Sequence, residues 1–381
     1  MQFSKTYIAN AVQALGFTDF TDVQRAVIPD AIRGRDIVAC SQTGSGKTHA
    51  FLIPIFSRLV EREHRVQAVI VSPTRELASQ LLDAARQIAA HAEEPIDIRL
   101  YSGGQDRHQE IERLKKSQPM IVIGTPGKIK DLAINANVLK IHRAETIVID
   151  EADMALDIGF LPDIESIVST TKNDAQLMVF SATIPESLKP FLRRSTRHAK
   201  EVSLEDKSLG SLAIDHRFFR VDTPAEKDKR LMAFTRETSP YLALVFVNQK
   251  ADADRLATML YQAGKQAIAL HGDVPARKRK QLLRRIHNLD VQYVVATDMA
   301  SRGLDIEGIS HIINYDLPVD MNFYVHRVGR TARMGHSGTA ISYFTDRDGH
   351  VFHYMEKHRI AYTVKGTKPK NAPQDKRRMK R

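Results

Sequence analysis

Short apolar runs alternate with longer amphipathic stretches along most of the chain. In the first half the runs are DIVAC at 36–40, QAVIVS at 67–72, MIVIG at 120–124, TIVID at 146–150 and LMVFS at 177–181. Each is brief and rich in Val and Ile, the pattern of strands buried on both faces of a parallel sheet. Stretches with helical spacing lie between them, among them 49–61, 75–91 and 106–117. This alternation predicts an α/β fold with helices on both faces of a sheet. The pattern lapses near 203–213, a polar stretch with a glycine and no period, which reads as a linker. A second series then follows, with strands expected at 216–221, 242–247, 267–270, 292–296, 310–314 and 338–344 and helices at 250–264 and 276–288. The expected organisation is a first domain at 1–203, a linker at 204–213, a second domain at 214–364 and a basic, disordered tail at 365–381. No residue-level repeat between the halves is evident.

With 381 residues, 43% of them hydrophobic, the chain has enough material for two cores. Its lone cysteine, Cys40, excludes an internal disulfide and argues against a cysteine zinc site. No run approaches the roughly 20 apolar residues of a membrane span, and residues 1–10 lack a signal-peptide core. The expectation is a cytoplasmic protein without a membrane partner. The net charge of +11 is uneven. Residues 1–200 hold 25 Lys and Arg against 24 Asp and Glu, whereas 201–381 hold 31 against 21. The tail alone holds 8 against 1. It reads either as a contact for nucleic acid or as a solubilising segment. The cluster Arg277, Lys278, Arg279, Lys280, Arg284 and Arg285 is open in the same way, between a nucleic-acid patch and a solvated helix face.

Two segments carry chemistry. Residues 41–48 read SQTGSGKT, between an apolar strand and a helical run. Backbone N–H groups of such a turn bind phosphate oxygens, and the helix N-terminus adds a favourable dipole. Gly44 and Gly46 permit the backbone angles, Lys47 reaches the β and γ phosphates, and Thr48 suits Mg²⁺. The strict pattern begins with Gly where this chain has Ser41. Residues 146–153 read TIVIDEAD, an apolar run ending in acids at the strand edge where open α/β sheets bind ligands. Asp150 would hold Mg²⁺ through water, and Glu151 would polarise the attacking water. Read alone, these acids serve equally well as a helix cap. A phosphate turn about one hundred residues upstream favours the metal reading.

Together with PTRELA at 73–78, GG at 103–104, TPG at 125–127, SAT at 181–183, VFVN at 245–248, TDMASRGLDI at 297–306 and HRVGRTAR at 326–333, the sequence resembles a DEAD-box RNA helicase over about residues 3–345. The compact layout is similar to bacterial members. The resemblance implies two RecA-like domains with ATP and Mg²⁺ between them. It implies that Gln24 recognises adenine and that Phe17 stacks on it. Thr43, Gly44, Ser45, Gly46, Lys47 and Thr48 would hold the phosphates, with Thr48 and Asp150 toward the metal. Gly303 and Asp305 would approach the nucleotide from the second domain. Arg330 and Arg333 would reach the γ-phosphate, where cationic forks stabilise developing charge. RNA contacts fall to Thr74, Arg75, Gly104, Thr125, Arg279 and Thr297, mostly on the backbone and thus largely sequence-independent. Asp153, Ser181, Thr183 and His326 would couple the domains.

Four features depart from the family pattern. Phe3 lies only 13 residues before Gly16, Phe20 and Asp22 replace prolines, Lys128 follows TPG in place of Arg, and Ala276 stands where Gln is common. Lys128 would give a weaker phosphate contact than a bidentate Arg. The expected function is an ATP-dependent RNA helicase, acting as a monomer on RNA duplexes or on ribosomal and other ribonucleoprotein particles. The alternatives are an ATP-gated RNA clamp with little unwinding and a DNA helicase, the latter disfavoured by the DEAD, SAT and HRVGR motifs.

Overall fold

A computed structural model describes residues 5–41, 44–204, 213–301, 308–331 and 337–369. The chain divides into two compact units, with the break at residue 205. In the first, strands β1 (Ile37–Cys40), β2 (Ala68–Val71), β3 (Ile98–Tyr101), β4 (Ile121–Gly124), β5 (Thr146–Ile149), β6 (Gln176–Ser181) and β7 (Lys200–Ser203) form one sheet in the order β3-β4-β2-β5-β6-β1-β7. In the second, β8 (Ile214–Arg220), β9 (Ala243–Phe246), β10 (Ala267–Leu270), β11 (Tyr293–Ala296), β12 (His311–Asn314), β13 (Gly338–Phe344) and β14 (Tyr362–Lys365) follow the order β10-β11-β9-β12-β13-β8-β14. Every pairing is parallel. Counted from its own first strand, each sheet has the same order, so a repeat that the residues do not reveal exists in the topology.

Period-two alternation explains why these strands had to be apolar throughout. Ala68, Ile70, Ile121, Ile123 and Val148 pack into a core on one face of the first sheet. Their neighbours Val69, Val71, Val122, Ile147 and Ile149 pack on the other. The second sheet divides likewise, with Leu244, Phe246, Val294 and Ile312 on one side and Ala243, Val245, Val295 and Ile313 on the other. Buried apolar area at about 25 cal/mol per Å² makes these double-faced strands the main source of stability.

Three strands escape the sequence pattern: β3, β7 and β14. Each lies at a sheet edge. Edge strands are half-exposed, so IRLY, KEVS and YTVK carry no continuous apolar run. The last of these moves a boundary. Lys365 belongs to β14, Lys368 donates to the Tyr362 hydroxyl at 2.6 Å, and Arg220 donates to the Thr367 carbonyl at 3.2 Å. The packed chain therefore runs past the expected tail start at 365. Residues 370–381 of that tail, and 205–212 of the expected linker, lie outside the described residues.

One buried cation ties the carboxyl ends of three central strands of the second sheet. Arg327, on the helix Met321–Val328, is 1% exposed. Its guanidinium grips Asp298 beyond β11 through two bonds of 2.6 and 2.7 Å. It also donates to Asn314 of β12 at 3.2 Å and to Asn248 beyond β9 at 3.3 Å, and lies 4.8 Å from the Phe246 ring. Arg327→Ala leaves these acceptors without their donor and should cost about 3–5 kcal/mol, as for other broken buried pairs. Urea denaturation of the full chain should show the loss in the second unit's transition. Arg327→Lys should not restore it, because an ammonium cannot make the two-pronged contact.

Candidate active site and nucleic-acid interface

The first unit's functional side chains gather at the carboxyl edge of its sheet. The turn after β1 leads into the helix Lys47–Arg58, whose N-cap is Gly46 at φ 96°. Gly44 also has positive φ, 83°. The Ser41 and Ser45 hydroxyls lie 3.0 Å apart and brace the turn. Thr43 lies outside the described residues. Thr48 is the second residue of the helix.

Gln24 holds this turn from below. It lies in the helix Asp22–Ile32, where it closes a capping box with Thr21: its side-chain oxygen accepts from the Thr21 N–H at 3.0 Å. Its Nε2 donates to the Gly46 carbonyl at 3.1 Å, and the residue is 2% exposed. Thr21 thus joins the site, and the T-x-x-Q spacing of a capping box was its signal in the sequence. Phe17 sits half-buried nearby, edge-to-face with His49 at 4.8 Å.

The acids come from the end of β5. Asp150 extends the strand ladder through its N–H to the Val71 carbonyl at 2.9 Å. Glu151 then turns left-handed, at φ 48° and ψ 55°. A non-glycine residue held there stores about 1–3 kcal/mol and marks a site the surroundings over-determine. The turn brings Glu151 Oε1 within 3.2 Å of Lys47 Nζ, with the two side chains 12% and 6% exposed. Burial pushes the Asp150 carboxyl well above the usual carboxylate range, and the neighbouring Glu151 adds to this while Lys47 opposes it. For Lys47 burial pulls downward, but Glu151, Asp150 and Asp153 outweigh it and hold the ammonium above its ordinary value.

Asp153 faces away from this pair. Its Oδ2 accepts from the Thr183 N–H at 2.9 Å and the Thr183 hydroxyl at 3.0 Å. Its own N–H donates to the Ser181 hydroxyl at 3.0 Å. The acidic segment and SAT are therefore one hydrogen-bonded unit.

Across the same edge, β3, β4 and β2 present three turns. Thr74 caps the helix Arg75–Ala89, accepting from the Leu77 N–H at 3.2 Å. The Arg75 guanidinium lies against Gly103, so a Cβ there would displace it, and a Cβ on Gly104 would meet it at 3.1 Å. Gly104 is also left-handed at φ 98°. Thr125 is the N-cap of the helix Pro126–Lys130 and donates its N–H to the Tyr101 carbonyl at 3.0 Å. Thr74, Arg75, Gly104 and Thr125 thus share one edge.

In the second unit, Arg279 lies on the helix Ala276–His287 and donates to the Ala300 carbonyl at 2.7 Å, just beyond Thr297. That helix is divided by face. Leu282 and Ile286 are buried, while Arg277, Lys278, Arg284 and Arg285 are exposed. His326 follows Val325 on the helix that carries Arg327. Arg330 is 7% exposed, one turn after Arg327. Gly303, Asp305 and Arg333 lie outside the described residues, as does Phe3.

Two RecA-like domains, one bearing a phosphate turn opposite a carboxylate pair, define a nucleoside triphosphatase. The model of the DEAD/DEAH box helicases matches residues 21–191, and that of the helicase conserved C-terminal domain matches 226–335. The chain is 44% identical over 356 residues to the DEAD-box ATP-dependent RNA helicase CshB of Listeria monocytogenes, covering 93% of this chain and 81% of that one. It is also 44% identical to CshB of Bacillus subtilis, covering 92% and 82%. Among solved structures it is similar to S. cerevisiae Dbp5 bound to RNA and ADP BeF3, at a TM-score of 0.82 and 26% identity over 95% and 93% of the two chains. It is likewise similar to Mss116 bound to ssRNA and UDP-BeF, at 0.81 and 26% over 96% and 79%. The chain belongs to the DEAD-box family of ATP-dependent RNA helicases. The clamp reading draws no support from these relatives.

The Gln24–Gly46 contact yields a test. A Cβ on Gly46 would lie 2.7 Å from Gln24 Nε2 and 2.8 Å from Thr21 Oγ1, and the locked capping box leaves neither room to move. Gly46→Ala should therefore weaken ATP binding at least about tenfold, equivalent to 1.4 kcal/mol. Titration with a fluorescent ATP analogue measures this. Undiminished affinity would show that the turn is not held in this geometry for the nucleotide.

Proposed function

We propose that the carboxyl edge of the first sheet is where this helicase binds and hydrolyses ATP, and that the Lys47–Glu151 pair at 3.2 Å is its centre. The turn of Thr43, Gly44, Ser45 and Gly46 cradles the phosphates, with Lys47 on the β and γ groups. Gln24 and Phe17 select the adenine. Lys47 and Glu151 neutralise each other when no phosphate is near. An incoming triphosphate offers the ammonium more negative charge than one carboxylate does, so Lys47 moves to it. Glu151 is then free to accept a proton from the attacking water.

The residues present fit Mg²⁺. Two carboxylates, Asp150 and Glu151, bear on a single ammonium, and the burial that disfavours an ionised Asp150 is what a nearby cation relieves. Mg²⁺ binds through one or two carboxylates together with phosphates and water. Asp150 and Thr48 would hold it, and it would neutralise charge on the transferring phosphoryl group. Gly303, Asp305, Arg330 and Arg333 complete the site from the second unit. Asp153, Ser181, Thr183 and His326 carry the coupling.

The RNA-binding edge comprises Thr74, Arg75, Gly104 and Thr125 in the first unit and Arg279 and Thr297 in the second. Backbone N–H groups, threonines and arginines suit phosphate and sugar rather than base edges, so the contacts are largely sequence-independent. We place the protein in the cytoplasm as a monomer, acting on ribosomal or other ribonucleoprotein particles. No helix of the described residues is long and apolar enough to cross a membrane.

Glu151→Gln tests the chemistry. The amide keeps the side chain's size but cannot take a proton. ATP should still bind, and RNA-stimulated phosphate release should fall by a factor on the order of 10² to 10⁴, the range for a lost general base. Near-normal turnover would remove Glu151 from that role.

A further inference from the structure

The residue after TPG, Lys128, is engaged within the protein. Lys128 is paired with Glu110 of the helix Arg107–Lys116, and their side chains are 12% and 10% exposed. Both Glu110 oxygens are sealed from solvent, and no other described donor reaches them. Lys128 lies in the short helix capped by Thr125, while Glu110 lies in the helix that follows Gly103 and Gly104. The ion pair therefore links the two turns that flank the RNA edge.

A second bond runs alongside. Arg107, of the same helix as Glu110, grips Asp131, the residue that follows the TPG helix, through contacts of 2.8 and 3.1 Å. That pair is half-exposed, at 54% and 26%, so water and salt weaken it. On its far side the TPG helix is fastened by Lys130 to Asp163 at 2.8 Å. Of the three, the Glu110–Lys128 pair is the buried one.

We propose that Glu110 and Lys128 form a strap that presets the spacing of the GG and TPG turns for the RNA backbone, and that Lys128 is a positioning residue rather than a phosphate contact. Drawing Lys128 out to a phosphate would leave Glu110 buried with neither partner nor water. One solvent-accessible phosphate contact does not offset that penalty. The Lys at this position and the Glu in the neighbouring helix then form one device. The proposal rests on the reading that these turns face RNA.

Salt dependence separates the two roles. A phosphate contact releases counterions, so its loss lowers the salt slope by about 0.7 on a single strand. A positioning residue lowers affinity and leaves the slope. The full chain, with a non-hydrolysable ATP analogue, is titrated with a short labelled oligouridine across a salt series. Lys128→Met and Glu110→Gln should each weaken binding about tenfold, the scale for residues acting through their neighbours, at unchanged slope. ATP turnover at saturating RNA should stay near that of the parent, so that the change appears in the RNA concentration required. The exchange Glu110→Lys with Lys128→Glu should recover affinity to within about threefold, because the pair is restored with its ends reversed.

A slope reduced by about 0.7 in Lys128→Met would overturn the proposal by making Lys128 a phosphate contact. Tighter binding by Glu110→Gln would overturn it too, since the carboxylate would then be competing with RNA. Glu110→Gln preserves shape and keeps the test open if Lys128→Met fails to fold. Arg75→Ala serves as the control for the edge itself. It should lose both affinity and slope. If neither changes, RNA does not lie on this edge, and the strap's role falls with that reading.

Discussion

Everything in the first unit turns on burying Lys47 against Asp150 and Glu151. Ionised groups leave water only when they are paired and hydrogen-bonded. Here two carboxylates bear on one ammonium, so the cluster is short of positive charge. Its geometry is imposed from both sides. A turn with two left-handed glycines delivers Lys47, and a left-handed Glu151 returns the carboxylate to it. Asp153 is kept out of the cluster by Thr183 and Ser181, so one end of the acidic segment faces the phosphate turn while the other is bound to SAT. The acidic segment thus touches both the phosphate turn and SAT.

The central strands and the phosphate turn were legible in the sequence because both depend on local rules. β2, β4, β5 and β6 are buried along their length and β1 at alternate residues, so all are mainly apolar, and the turn needs Gly44, Gly46 and Lys47 in a fixed order. Edge strands obey no such rule, which hid β3, β7 and β14, while the edge strand β10 kept an apolar run, AIAL, and was legible. Contacts between distant segments were equally hidden. The bond from Gln24 to Gly46 crosses 22 residues, the pair of Glu110 and Lys128 crosses 18, and nothing in composition distinguishes Arg327 from a surface arginine. The topological repeat was hidden for a related reason: two sheets can share a strand order while their side chains share only the need to be apolar.

On the proposed reading both units place function at the carboxyl edges of their sheets, and each edge carries a largely buried cation. In the first unit Lys128 joins two turns through Glu110, and Arg75 lies against Gly103 and Gly104. In the second, Arg327 gathers the ends of β9, β11 and β12. Buried ion pairs contribute little net stability compared with apolar packing, but losing one partner is costly, so they fix geometry. On the proposed reading that RNA is held by its backbone, fixed spacing between turns selects the strand's path.

We propose that ATP turnover needs Arg330 as well as the charge cluster of the first unit. The most direct measurement compares Arg330→Ala with the parent chain for ATP affinity and for RNA-stimulated turnover. ATP binding should be close to unchanged, because Lys47 and Gln24 remain in place, while turnover falls by a factor on the order of 10³. Intact RNA-stimulated turnover would contradict the account and leave the first unit to complete the chemistry without this residue.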